Sequence, residues 1–136
     1  MDPAVSLLRT LVLLVLAVLV AVSPGLATAA PAVEGPRVLI LHSYAPDFSW
    51  TRDLHAGIVS VLDTPEVRAR YRVEYLDAKH HDTPAYQARL LELFREKYHA
   101  TWFDGIIVTD NHAPELVARH RADLFPRTPV VACGIN

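Results

Sequence analysis

The feature that most constrains the fold of this chain is a continuous apolar run of strand length, Arg-Val-Leu-Ile-Leu at residues 37–41. A strand with one solvated face alternates apolar and polar residues, whereas a strand covered on both faces stays apolar. A second run of this kind, rich in β-branched residues, extends from Ile106 to Thr109. The two runs predict buried strands in a parallel sheet with helices on both faces.

Three helical patterns separate the predicted strands. The first ends at Asp63-Thr64-Pro65, and the second begins with an N-cap and a first-turn proline, Thr83-Pro84. The third follows Asp110 and Asn111, either of which can cap it. The positions predicted to face the core are Trp50, Leu54, Ile58, Val61 and Leu62, then Tyr86, Leu90, Leu93 and Phe94, then Ala113, Leu116, Val117 and His120.

Two further segments complete an alternation of four strands with three helices. Residues 71–76 are more polar than the first run and favour a strand near the edge, and residues 129–132 form the last strand. Short connections between alternating strands and helices imply right-handed crossovers, so we predict an α/β fold with a doubly wound, flavodoxin-like parallel sheet. We also expect a truncated domain, because no helix follows to cover the last strand.

Polar residues follow each predicted strand. In an open α/β sheet, ligands bind beyond the carboxyl ends of the strands, where the strand order reverses. A small-molecule pocket needs aromatic walls and a few fixed hydrogen-bonding groups. The residues that supply this mixture after the first and third strands are Ser43, Tyr44, Trp50, Asp110 and Asn111.

Motifs for catalysis, metals and cofactors are weak or missing. His80 and His81 lie between Asp77 and Asp82, but adjacent histidines on a loop tend to point apart, so a solvated loop is the favoured interpretation. His42 precedes Ser43 without the G-x-S-x-G elbow of a nucleophilic serine. No G-x-G-x-x-G follows the first strand. We therefore predict no catalytic residue, no metal and no cofactor.

The amino terminus has the composition of an export signal. An apolar run of roughly 12 residues, from Leu11 to Val22, suits a signal-peptide core better than a membrane span of about 20 residues. Small residues around Ala29 suit signal peptidase, so we predict a signal peptide at residues 1–29 and a linker at 30–36. The alternative is an uncleaved membrane anchor.

The charge and the cysteine content narrow the possible partners. The formal net charge of −2 argues against a nucleic-acid partner. The single cysteine, Cys133, excludes an internal disulfide, and we interpret it as a small buried residue near a strand end.

Three segments together resemble a known family. They read Val-Leu-Ile-Leu-His-Ser-Tyr-Ala-Pro-Asp-Phe-Ser-Trp-Thr from residue 38, Phe-Asp-Gly-Ile-Ile-Val-Thr-Asp-Asn from residue 103, and Leu-Phe-Pro-Arg-Thr-Pro-Val-Val-Ala-Cys-Gly-Ile-Asn from residue 124. In this order they are similar to the ABC transporter substrate-binding-protein family, whose modules often form the extracytoplasmic sensor of bacterial histidine kinases. The resemblance covers residues 37–136.

The resemblance implies a type I periplasmic-binding-protein fold, in which two α/β lobes close over a small molecule. Residues 37–136 would then be the amino-terminal part of the first lobe, with a second lobe of the same protein as its partner. By analogy the ligand-binding residues on this lobe are Ser43, Tyr44, Trp50, Asp110, Asn111, Gly134 and Asn136.

Three functions remain open at this point. The resemblance favours a periplasmic sensor module, the input domain of a two-component histidine kinase held at the membrane by its anchor or by a later span. The second is the solute-binding component of an ABC importer. The third, from another class, is an exported α/β hydrolase-like enzyme that uses His42, Ser43 and Asp110.

Overall fold

A computed structural model describes residues 34–135 of the protein. The predicted signal peptide, residues 30–33 of the linker and Asn136 lie outside this part. Within it, no helix is long and apolar enough to cross a membrane. The elements in chain order are β1 (Arg37–His42), α1 (Ser49–Leu62), β2 (Arg70–Tyr75), α2 (Pro84–Tyr98), β3 (Gly105–Thr109), α3 (His112–Leu124) and β4 (Val130–Cys133).

The four strands form one parallel sheet in the order β2-β1-β3-β4. In the register, Ile40 of β1 lies between Val73 of β2 and Ile107 of β3, and Ile107 is followed by Val131 of β4. The two apolar runs are therefore the two interior strands, where both faces of a strand must be covered. The more polar β2 lies at an edge, as its composition predicts.

Helices cover both faces of the sheet because side chains along each strand alternate between them. On one face, Val38 and Ile40 pack with Leu62 of α1. On the other face, Leu39 and Leu41 join a larger apolar cluster that α2 and α3 contribute to. The α/β fold with a doubly wound parallel sheet is thus confirmed. Val131 of β4 remains 62% exposed.

The buried faces of two helices differ from the predicted ones. In α2 the buried residues are Leu91, Phe94 and Tyr98, and Leu93 is 50% exposed. In α1, Val61 is exposed although its spacing predicted burial. Because leucine and valine occur on both faces of these helices, their spacing also fits an apolar stripe that is rotated by one position from the face that is buried. The prediction for α3 is better, since Ala113, Leu116 and Val117 are buried.

The crossovers diverge at the carboxyl ends of β1 and β3. The chain leaves β1 through α1 toward β2, and it leaves β3 through α3 toward β4, on the opposite side of the sheet. β1 and β3 are neighbours, so the two connections diverge and leave a crevice between the carboxyl ends of these strands. The loops that follow His42 and Thr109 form the walls of this crevice.

Candidate functional site

The crevice between β1 and β3 brings predicted site residues together. The indole nitrogen of Trp50, in the first turn of α1, donates a hydrogen bond of 2.7 Å to Oδ1 of Asp110, directly after β3. Ser43, directly after β1, contacts the end of β3 from the other loop. Residues 60 or more positions apart in sequence therefore meet at the strand ends.

Ser43 joins β3 to α3 through its buried hydroxyl. The hydroxyl donates to the carbonyl oxygen of Thr109 at 2.5 Å and accepts from the backbone N–H of Ala113 at 2.8 Å. Asn111 occupies the N-cap position of α3 without a side-chain capping bond. Asn111 is thus the N-cap residue, as predicted, but the first-turn N–H of Ala113 finds its acceptor in the Ser43 hydroxyl, which comes from another loop.

Replacing Ser43 with alanine is expected to lower the free energy of unfolding by about 1.5 kcal/mol, because a buried N–H of α3 loses its acceptor. Denaturant unfolding measures the loss. Ser60→Ala is the matched control, since Ser60 only bonds the Gly57 carbonyl on the exposed side of α1, and it should cost less than about 0.5 kcal/mol. Equal losses in the two variants would refute the capping role of Ser43.

Asp110 is held in an unusual backbone conformation under the crevice. It has a φ of 59°, in the left-handed region, and its side chain is almost fully buried. Its Oδ1 accepts from Trp50, and its Oδ2 accepts from the hydroxyl of Thr109 at 3.2 Å. Aspartate tolerates this conformation better than most residues do. The backbone thereby directs the carboxylate at the indole of Trp50.

A chain of hydrogen bonds continues from Asp110 to the surface of α1. Nδ1 of the buried His42 lies 3.0 Å from the hydroxyl of Thr109, and its Nε2 lies 3.1 Å from Nδ1 of His55. The Thr109 hydroxyl donates to Asp110, so it accepts from His42, which must carry its proton on Nδ1. A neutral His42 then accepts at Nε2 from His55. The ring of Tyr75 stacks on His42, with 5.1 Å between centroids.

Burial is the main cause of a lowered pKa at His42, about 4 against an ordinary value of 6.5, and His55 lowers it further. Between these values the unfolded chain binds more protons at this residue than the folded chain does, so the stability contributed by neutral His42 is lost as the pH falls from about 6.5 to about 4. A neutral His42 with its proton on Nδ1 is compatible with both of its hydrogen bonds.

We expect the free energy of unfolding to fall by about 2 kcal/mol between pH 7 and pH 4 because of His42. This is less than the full pKa shift implies, because solvent reaches the neighbouring α1 surface. Denaturant unfolding across this range measures the slope. A His42→Gln variant should show a flatter dependence, and the difference isolates His42 from His80, whose pKa is raised by its bond to Asp77. Parallel slopes would contradict this assignment.

A groove opens at the outer side of the Trp50–Asp110 pair. Its volume is about 330 Å³, and its walls are Tyr44, Phe48, Trp50, Lys79 and Asp110. Trp50 is 50% exposed, so the indole presents a face to solvent while its nitrogen is held by the carboxylate. The Lys79 ammonium lies 4.7 Å from the ring centroids of both Tyr44 and Phe48. Three aromatic rings and one cation therefore surround the groove.

The remaining predicted residues lie near this groove or outside the described part. Gly134 follows β4 with a φ of 67°, and a Cβ added there would come within 2.9 Å of Leu54 and 3.7 Å of Trp50. Gly134 thus lets α1 approach the end of β4 behind the indole. Asn111 is half-buried between β3 and α3, and Asn136 is not described. Cys133, the last residue of β4, is a half-buried free thiol, and burial and Asp110 raise its pKa.

The histidines after β2 interact with neighbouring carboxylates. His80 Nδ1 lies 2.6 Å from Asp77, and His81 lies 3.8 Å from the same carboxylate. His112, at the start of α3, lies 3.6 Å from Asp82. In residues 34–135 no group of three or more histidine, cysteine or acidic side chains is arranged to hold a metal ion.

His42 and Ser43 point into different environments. The two ring nitrogens of His42 are bonded to Thr109 and His55, whereas the hydroxyl of Ser43 is bonded to backbone groups of Thr109 and Ala113. A nucleophilic serine needs a base within hydrogen-bonding reach of its oxygen. The geometry therefore gives no support to a His42–Ser43 nucleophile.

Comparisons with known proteins identify no family for this chain. The chain matches no family model, no curated protein and no solved structure.

Several residues of the groove and of the hydrogen-bond chain beneath it were not among the site residues predicted from the sequence. Phe48 and Lys79 line the groove, and His42 and Thr109 form the hydrogen-bond chain beneath it. The strand-end rule includes the loops that hold these residues, and the alternation of a buried strand assigns His42 and Thr109 to one face. The pairing of Lys79 with the Tyr44 and Phe48 rings depends on loop conformation, which no local pattern predicts.

Proposed function

We propose that the chain is an exported small-molecule-binding module, and specifically the input domain of a sensor histidine kinase. The observation that carries the proposal is the groove at the strand-order reversal, where Tyr44, Phe48 and Trp50 surround a fixed carboxylate and a free ammonium. Aromatic walls with few oriented polar groups are typical of binding sites for small molecules.

The chemistry beneath the groove also favours binding over catalysis. Asp110 receives two hydrogen bonds from the chain, and the hydroxyl of Ser43 is engaged by backbone groups. These groups fix the position of the groove walls, as a preorganised binding site requires. The apolar amino-terminal run supports export, and the resemblance of the strand-end segments supports a role as sensor input.

A thermal-shift screen of the full chain against a broad library of small metabolites tests the binding function. A ligand present at about 100 times its Kd stabilises the native state by about 2.7 kcal/mol, which raises the Tm by several degrees. Recovery of the compound unchanged, checked by mass spectrometry, would separate binding from turnover.

Two tryptophan variants provide the matched control for this screen. Trp50→Ala should remove the Tm shift at the same ligand concentration, because it deletes a wall of the groove. Trp102→Ala should preserve the shift, since Trp102 lies in the loop before β3, at the amino ends of the strands and so at the end of the sheet opposite the groove. The absence of any stabilising compound, or a shift that survives in Trp50→Ala, would refute the proposed site.

A further inference from the structure

Lys79 lies against aromatic rings rather than beside a carboxylate. Its ammonium is equidistant, at 4.7 Å, from the centroids of Tyr44 and Phe48. The ion pairs closer than 4.0 Å among residues 34–135 include the other lysine, Lys97, which pairs with Glu74, but none includes Lys79. The face of an aromatic ring attracts a cation, but the ring carries no net negative charge that would neutralise it. Lys79 thus retains an unpaired charge at the mouth of the groove.

Two carboxylates, one close to Lys79 in the chain and one in the groove wall, are engaged by other groups. Asp77, two positions before Lys79, faces His80 and His81. Asp110, at the base of the groove, accepts from the Trp50 indole and the Thr109 hydroxyl and is only 2% exposed. A ligand amine could therefore reach Asp110 only by displacing the indole.

The charge around the groove disfavours a cationic ligand for a second reason. The position between the Tyr44 and Phe48 rings, where a ligand cation would bind best, is occupied by the ammonium of Lys79. A ligand cation would have to displace this group and would meet a like charge. An anionic ligand is favoured instead. Its negative charge can pair with the Lys79 ammonium, while an attached flat group packs on the aromatic rings.

We propose that the groove binds a small planar anion, a carboxylate joined to an aromatic or similarly flat body. The carboxylate pairs with the Lys79 ammonium, and the flat body lies against Tyr44, Phe48 and Trp50. This inference specifies the ligand class of the proposed binding function and rests on that function. The groove volume of about 330 Å³ suits a ligand of one or two fused rings.

Titration of the full chain with matched compounds tests the ligand class. The probes are benzoate and 2-naphthoate, their neutral amides, and benzylamine, with affinities measured by calorimetry. We expect each carboxylate to bind about tenfold more tightly than its amide, and benzylamine to bind more weakly than both. Lys79→Gln should reduce carboxylate affinity about tenfold and leave amide affinity unchanged. Lys97→Gln is the matched control and should change neither.

The outcomes separate this inference from the function on which it rests. Preferential binding of benzylamine, or carboxylate affinity that survives in Lys79→Gln, would overturn the ligand class. So would a metabolite screen whose only stabilising compounds are not planar anions, although the binding function would then stand. If no compound in either experiment binds, both the inference and the binding function fail.

Discussion

Replacing Asp110 with alanine is expected to lower the free energy of unfolding by about 3 kcal/mol, the sum of two effects. Alanine in the left-handed conformation that Asp110 adopts, with a φ of 59°, costs about 1–2 kcal/mol. The buried Thr109 hydroxyl also loses its acceptor, which costs about 1–3 kcal/mol. Denaturant unfolding of the full chain measures the change.

Asp110→Asn separates these effects from the loss of charge. Asparagine tolerates the left-handed conformation and retains an oxygen for the Trp50 indole, but its NH2 cannot accept from the Thr109 hydroxyl, so the expected loss is about 1–2 kcal/mol. Both variants remove the negative charge, so the difference between them reports backbone conformation and hydrogen bonding. If the two variants were equally stable, the role assigned to Asp110 in shaping the crevice would be wrong.

Replacing Leu91 with alanine is expected to cost about 3 kcal/mol, because Leu91 is a buried residue of α2 packed against the sheet. Leu93→Ala, in the same helix, should cost less than about 0.5 kcal/mol, since half of the Leu93 side chain is exposed. Both variants make the same chemical change at positions of similar helix propensity. Denaturant unfolding that ranked Leu93→Ala as the more damaging variant would favour the stripe predicted from the sequence.

The sheet could be predicted from the sequence because its interior strands carry an unambiguous signal. A run such as Val38 to Leu41 is stable only between two covering layers, and the alternation of strands and helices then restricts the topology to a few possibilities. Thr83-Pro84 likewise marked the start of α2, where the Thr83 hydroxyl accepts from the Tyr86 N–H at 3.2 Å. These signals are local and need no knowledge of distant residues.

The missed features depend on residues far apart in the chain. Ser43 caps α3 from a loop 70 positions away, and no pattern near α3 indicates that acceptor. Trp50 fitted the apolar stripe of α1, yet it lies beyond the covered part of the sheet and bonds Asp110. Trp50 is exposed because of its position along the axis of α1. Helical spacing predicts which face of a helix a residue lies on, but not whether that part of the helix is covered.

The two tryptophans of the chain provide the most direct test of the central claim, that a small molecule binds between β1 and β3 beside Trp50. In a Trp102→Phe variant the only indole is Trp50, on the groove wall; in Trp50→Phe it is Trp102, in the loop before β3. A compound that raises the Tm should change the fluorescence of the first variant, with a saturating dose dependence, and leave that of the second unchanged. A response confined to Trp102, or stabilisation without any response from Trp50, would contradict a binding site in this groove.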